Sequence, residues 1–323
     1  MELKSNAMFN FINRIKQWYR HRNLIKQGVL VPIESYEQYT ALVKEIKANS
    51  IQKVFTNCYM LPAEIKRLIS LKNFYQVKTD QGLVFADDEG GYYYLFLYVD
   101  MSNPLILPSL EKDILVENVY YDGRRTKIQC KFEEYVQNAG CIFLNTYNAI
   151  TNRPQLNPEK YWKKLELLQN SLAAEGKKIS IPTERQLKQF EEIYRETIDK
   201  YVQKRYSKKE RKEQRKLGYL HCIDDKEGKI YAIHINGLLH GGAIATRKDC
   251  QGGIYSPGLM LYIFKGYYEA MPQESEAQKK YMRPKGSCGW IAVDNKASWR
   301  MHKMLGLTAM GKSMNQFIIK TTM

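Results

Sequence analysis

The chain has no apolar run approaching the roughly 18 residues that a membrane span needs. Its densest stretch, Tyr92-Tyr-Tyr-Leu-Phe-Leu-Tyr-Val99, is only a strand in length. It has no cysteine pair at C-x-x-C spacing, since Cys58, Cys130, Cys141, Cys222, Cys250 and Cys288 are scattered. No histidine stands beside a cysteine pair at zinc-ligand spacing, so no structural metal is expected. Nothing near the start resembles a signal peptide, because residues 9–24 mix apolar side chains with Arg14, Lys16, Arg20 and Arg22. Ser5-Asn6-Ala7, just ahead of a second methionine, reads as an appended segment outside the fold. Scattered cysteines without a leader fit a reducing, cytoplasmic setting. Acidic residues are in deficit: Lys+Arg 50 against Asp+Glu 34 gives a formal charge of +16. Such a surplus suits polyanionic partners, or simply a well-solvated surface.

What is present is an ordinary globular composition, 44% hydrophobic over 323 residues, enough for about two domains. Residues 9–27 have the period of an amphipathic helix, with Phe9, Ile12, Ile15 and Trp18 on one face. Residues 29–148 read as strand (29–33), helix (35–48, capped by Ser35), helix (from Pro62 toward Asn73), strands at 82–86, 92–99 and 114–121, helix (127–138) and strand (141–147). A helix over 158–174 and a short extended piece at 177–181 follow. A long charged helix is then expected from Thr183 or Glu184 to about Leu217. Its end carries Lys204, Arg205, Lys208, Lys209, Arg211, Lys212, Arg215 and Lys216 against Glu210 and Glu213. This arm is either a solvated face or a contact for RNA or an anionic surface. No interleaved aromatics favour stacking.

The chemistry-bearing block begins at residue 229. Asn236-Gly237 between apolar runs is the preferred pair for a two-residue hairpin turn. The returning strand ends near Arg247, and Ile254-Tyr255 reads as a third strand. Ser256-Pro257-Gly258 then opens a helix over 259–271, stopped by Pro272. Serine caps such a start, proline fits a first turn, and Gly258 admits close approach of a ligand. Amides at a helix start form an anion site suited to a pyrophosphate, here expected at Gly258, Leu259 and Met260 beside Tyr255 and Ser256. Residues 289–307 read as strand, polar turn, short helix and closing glycine.

Asn295, Ser298 and Leu305-Gly306 stand at the spacings of the late strand–helix unit of the GNAT acyltransferase superfamily, which this segment resembles. Leu307 replaces the usual aromatic. The element order also resembles the GNAT core, with its last two strands at 307–311 and 315–320. The usual Gln/Arg-x-x-Gly-x-Gly/Ala loop is absent, and Ser256-Pro257-Gly258 in its place resembles the divergent CelD/BcsL-type branch. The resemblance implies an α+β GNAT fold, a twisted, mixed, mostly antiparallel sheet flanked by helices. It implies acetyl-CoA or another acyl-CoA as co-substrate and an amine-bearing acceptor. It places Asn295 and Ser298 on the cofactor side. His302 stands where the family carries a tyrosine as proton donor to the CoA thiolate. For the base, His234, His240 and Asp294 are available, and spacing singles out none of them. The first half repeats the order in weaker form, with Asp122-Gly123-Arg124 where a phosphate loop would be. The expected division is a degenerate GNAT-like domain (1–155), a connecting helix and linker (156–180) and a GNAT acyltransferase domain (181–323), with CoA bound only by the latter. Tandem GNAT architecture also resembles Fem-type transferases that use aminoacyl-tRNA. A non-catalytic GNAT-like binding protein is the remaining alternative.

Overall fold

The computed structural model describes residues 15–50, 52–80, 82–151, 158–198, 201, 206, 208–235, 243–270, 288–304 and 308–321. The chain forms two compact units, residues 1–146 with 313–323, and residues 147–312. This differs from the expected division, which ran the second domain to the C-terminus. The last strand is the reason. Residues 308–319 were expected as two strands but form one, and its second half lies in the first unit. Gly311, at φ +69, turns the backbone within that strand without ending it.

The first unit opens with helix α1 (15–26), whose Leu24 and Ile25 pack on the unit's core. Strand β1 (Leu30–Pro32) leads to α2 (Tyr36–Asn49), where Gln38 N–H donates to the Ser35 side chain at 3.1 Å, as the capping pattern predicts. A two-residue strand β2 (Phe55–Thr56) precedes α3 (Pro62–Ser70), which has proline at its start. Then come β3 (Phe74–Val77), β4 (Leu83–Asp88), β5 (Tyr92–Val99), β6 (Asp113–Tyr121), α4 (Lys127–Asn138) and β7 (Ile142–Thr151). Sequence reading missed β3, having run the preceding helix toward Asn73. The helix stops at Ser70, and Lys72 takes a left-handed φ of 58.

The sheet runs β1-β3-β4-β5-β6, then the C-terminal strand β13 (Thr308–Ile319), then β7. The pairs β1–β3, β3–β4, β4–β5 and β2–β5 are antiparallel, whereas β5 and β6 run parallel from Tyr92↔Asp113 to Leu95↔Val116. With β3 counted, the connection between the parallel strands is 100–112, and it carries no helix. Asp122-Gly123-Arg124 therefore lies one connection too late to be a phosphate loop. Asp122 and Gly123, at φ 56 and 64, form the turn from β6 into α4. Buried polar side chains hold β13 in this unit. Asn315 Nδ2 donates to Glu133 (2.9 Å), and Gln316 Nε2 donates to Glu117 (2.7 Å).

The second unit holds α5 (Pro158–Ala174), β8 (Lys177–Ser180), α6 (Leu187–Thr197), α7 (Lys208–Lys216), β9 (Leu220–Asp225), β10 (Ile230–Ile235), β11 (Ala243–Thr246), α8 (Tyr255–Ala270), β12 (Cys288–Ala292) and α9 (Lys296–Met304). Strands β8 to β11 form an antiparallel ladder in chain order, while β12 pairs with the second half of β7, from Cys288↔Thr151 to Ala292↔Tyr147. One face of the ladder packs Leu220, Cys222, Ile233 and Ile235 on Phe190 and Tyr194 of α6. The other face lies under α8 and α5.

The long charged helix is two helices: Ile198, in extended geometry, ends α6. Arg211 of α7 is buried, its guanidinium 4.6 Å over Tyr194 and its Nε donating to Glu191 at 3.0 Å. Lys212 pairs with Glu184. This part of the basic arm thus anchors α7 on α6, while residues 202–205 and 207 lie outside the described residues. So do the Asn236-Gly237 turn and His240.

Candidate active site

Each unit sets two strands beside each other that part or never pair, and the two differ in what lies there. In the first unit β5 and β6 stop pairing after Leu95 and Val116. The side chain of Asn57, 4% exposed, fills the wedge. Its Nδ2 donates to Leu95 O and Glu117 O, both at 3.0 Å, and its Oδ1 accepts from Leu97 N at 2.7 Å. The adjacent β2 pairs with the end of β5, Phe55↔Val99 and Thr56↔Tyr98. Beneath them, Glu117 accepts from Tyr94 Oη at 2.8 Å and from Tyr59. Burial and the Glu117 charge push both phenols far above their ordinary pKa, so they remain protonated donors. The chain's own groups use the donors and acceptors that an extended ligand would need.

In the second unit β11 is the last strand of its ladder, and β12 pairs only with β7 among the described residues. Yet the two share a core: Ile244 of β11 packs with Ile291 of β12, Ile150, Met260 and Leu261. Strand β11 therefore keeps an edge with no described ladder partner next to β12's region of the core.

Helix α8 begins at this edge, but earlier than expected. Ile254-Tyr255 is not a strand, and Tyr255 is the first helical residue. Gly258 N–H is consequently spent on Ile254 O at 2.9 Å. Leu259 and Met260 are 0% and 7% exposed and belong to the core. Gly258, Leu259 and Met260 therefore do not present amides to a ligand, which corrects the expectation. The N–H groups left over by the first turn are those of Tyr255 and Ser256, since Pro257 has none. Ser256 Oγ lies 2.5 Å from Thr246 Oγ1 and fastens the helix start to the end of β11. Tyr255 is fixed from behind. Lys177 Nζ donates to its Oη at 2.6 Å and sits 5.0 Å over its ring and 4.3 Å over that of Tyr231. Sequence reading missed Lys177, Tyr231 and Thr246, because nothing in their spacing marks them.

A Cβ on Gly258 would meet only Leu172 Cδ1, at 3.8 Å, an ordinary contact. Gly258→Ala is therefore expected to raise stability by about 0.5–1 kcal/mol through helix propensity. Urea unfolding checks this.

Asn295, Ser298 and His302 do share one face of α9, as expected. Ser298 N–H donates to Asn295 Oδ1 at 3.0 Å, so Asn295 is the helix cap. Trp299 Nε1 donates to Ala292 O at 3.1 Å and ties the helix to β12. His302 Nδ1 lies 2.7 Å from Ser298 O and 3.2 Å from Ser298 Oγ. A carbonyl only accepts, so Nδ1 carries the proton and Nε2 is the basic nitrogen. Burial lowers the pKa of His302, holding it neutral at neutral pH. An imidazole in this state accepts a proton at Nε2, and it is not arranged as the donor that the family pattern implied. His302→Ala is expected to cost about 1 kcal/mol of stability for the lost hydrogen bond. If the chain is the acyltransferase that the resemblance implies, the effect on turnover should stay within about threefold, far below the 10²–10⁴ range for a positioned acid. The opposite side of α9 presents Lys296, Arg300 and Lys303, which line an open depression of about 370 Å³ with Trp299, Val293 and Asn148.

His234 faces His221 across the β9–β10 pair, with ring centroids 5.8 Å apart, and His221 lies 5.7 Å from Tyr262 of α8. The Nδ1 atoms of both histidines are buried with no partner. His234 sits under α8 beside Ile244 on the core side of the ladder, so it is not presented as a base to an incoming amine. Among the described residues, no group of three metal-ligating side chains occurs.

No family model and no curated protein matches the chain. Solved structures do. A tandem GNAT protein from the clavulanic acid biosynthesis pathway aligns over 91% of this chain and 98% of its own, at 10% identity and a TM-score of 0.50. A GCN5-related N-acetyltransferase from Sphaerobacter thermophilus aligns over 91% and 96%, at 9% identity and 0.51. A Drosophila protein aligns over 91% and 99%, at 11% identity and 0.51. The likeness is one of fold. The chain has the α+β architecture of the tandem GNAT structures, with a mixed, mostly antiparallel sheet and flanking helices along about nine-tenths of its length.

Proposed function

We propose that the second unit is an acyl-CoA-dependent N-acyltransferase, with acetyl-CoA as donor and an amine-bearing molecule as acceptor. The first unit then shapes the protein without binding CoA. The observation that carries this reading is the contrast between the two wedges. Asn57 occupies the first, whereas the β11 edge in the second is not used by any described strand and has a helix start beside it. Tyr255 and Ser256 amides would receive a pyrophosphate with help from the helix dipole, and the free edge of β11 would receive the extended arm of the co-substrate. The bound group supplies the thioester. The chain's own residues position it and exclude water through the Ile244, Met260 and Ile291 core. On this reading His302, with its Nδ1 proton turned to Ser298 O, is not the group that protonates the departing thiolate. The Ser256-Pro257-Gly258 corner is the ground for setting the protein beside the CelD/BcsL-type branch.

The test is release of free CoA thiol from acetyl-CoA in the presence of pooled primary amines. Amine-dependent release supports the reading. Tight acetyl-CoA binding without release by any amine favours a binding protein, a reading that draws on the absence of a donor geometry at His302. Ser256→Asp separates ligand binding from folding. A carboxylate in the first turn is favourable to the helix by about 0.3–1 kcal/mol. It repels a phosphate at the same place, so affinity should fall at least about tenfold, or 1.4 kcal/mol, without loss of stability.

A further inference from the structure

Helix α1 has two unlike sides. At 100° per residue, Gln17, His21, Leu24 and Ile25 share one side, which is docked. Leu24 and Ile25 pack on the core, and His21 Nδ1 lies 2.7 Å from Tyr93 Oη and 3.0 Å from Glu111 Oε1. The other side carries Ile15, Trp18, Tyr19 and Arg22, at i, i+3, i+4 and i+7. Their apolar members stay in solvent: Ile15 is 40% exposed, Trp18 52% and Tyr19 59%. Three large apolar side chains left out on one helix face, while the opposite face does the packing, mark a contact surface. The sequence ahead continues the same period with Phe9 and Ile12.

The charge around this face identifies the partner. Arg22 and Lys26 lie on it and Lys16 borders it, and no acidic residue occurs between Leu3 and Ile33. The Arg22 guanidinium sits 4.7 Å over the Trp18 ring, so the cation and the aromatic form one surface. A helix with bulky aromatics on one face, bordered by lysine and arginine without a carboxylate, suits the boundary between acyl chains and anionic headgroups. Among the described residues no helix is long and apolar enough to cross a membrane. We propose that α1 is an interfacial helix that seats the first unit on an anionic lipid bilayer through Ile15, Trp18 and Tyr19, with Lys16, Arg22 and Lys26 reaching the headgroups. A protein partner at this place would be expected to meet a mixture of charges, and a face bare of acids disfavours it.

Vesicle flotation of the full chain tests this, using phosphatidylcholine alone and phosphatidylcholine with about 30% phosphatidylglycerol. The protein is expected to float only with the anionic vesicles. The exposed pair Trp18→Ser with Tyr19→Ser should reduce that partitioning at least about tenfold, and Arg22→Glu with Lys26→Glu should abolish it. The melting temperature of both variants should match the parent, because neither touches the docked side. Flotation that survives loss of Trp18 and Tyr19 overturns the proposal and moves the contact to another basic surface. Equal flotation with neutral vesicles overturns it too. So does a chain that ignores both vesicles while associating with itself through this face, or while binding only an RNA homopolymer.

Discussion

Asn57→Leu is expected to lower the stability of the first unit by about 3–5 kcal/mol, because it strips partners from three buried backbone groups at once. Leu95 O, Leu97 N–H and Glu117 O all bond to this one side chain, and no water can replace it in a closed wedge. Asn57→Asp should do nearly as much harm, since a carboxylate has no N–H to give the two carbonyls. Calorimetric melting should show a transition about 10 °C lower, assigned to the first unit. Acetyl-CoA binding measured well below that transition should be untouched. If either variant melts like the parent, the wedge is not held by Asn57.

Acid should unfold the second unit through His234. Burial, reinforced by the neighbouring His221, lowers its pKa from 6.5 to about 3. Between those values the unfolded chain binds a proton that the folded chain refuses, so stability is complete above about pH 6.5 and drains away toward pH 3. Each pH unit in that window costs about 1.4 kcal/mol, or nearly 3 kcal/mol at about pH 4.5. His234→Leu keeps an apolar group of similar bulk under α8 and removes the titration. Urea unfolding at about pH 7.5 and about pH 4.5 should give a loss about 3 kcal/mol smaller in this variant than in the parent. Equal losses would mean that the imidazole is hydrated or charged in the fold.

Much of the architecture was legible because local signals agreed with tertiary ones. Ser35 and Pro62 stand where their helices begin, and the turn between Asp88 and Tyr92 joins two antiparallel strands as its glycines suggest. The order of elements from about Tyr219 onward was readable enough to carry a family resemblance. What failed did so for identifiable reasons. The segment from Phe74 to Val77 is only four residues long and follows a helix almost directly, too short for a period of its own to mark it as a strand. Gly311 looked like the end of a strand, whereas a left-handed φ inside the strand uses it without breaking pairing. Tyr255 reads as part of a strand but is the first residue of α8, so the helix's first turn and its free amides lie several residues earlier than the pattern suggests.

The candidate site was legible only as a neighbourhood. Asn295 and Ser298 share a face of α9 with His302, and their side chains serve the helix that contains them. His302 has the spacing of a donor and the tautomer of an acceptor, and spacing carries no information about tautomers. Asn57 is a lone asparagine in an unremarkable stretch, and only the parting of two strands reveals what it does. Thr246, Lys177 and Tyr231 reach the corner from three strands, so no linear pattern holds them.

The central claim is that one wedge is closed and one is open to acyl-CoA. Calorimetric titration of the full chain with acetyl-CoA tests it most directly. The account predicts a single site per chain, retained in Gly258→Ala and weakened at least about tenfold in Ser256→Asp. Two equivalent sites, no binding at all, or one site indifferent to Ser256→Asp would contradict it.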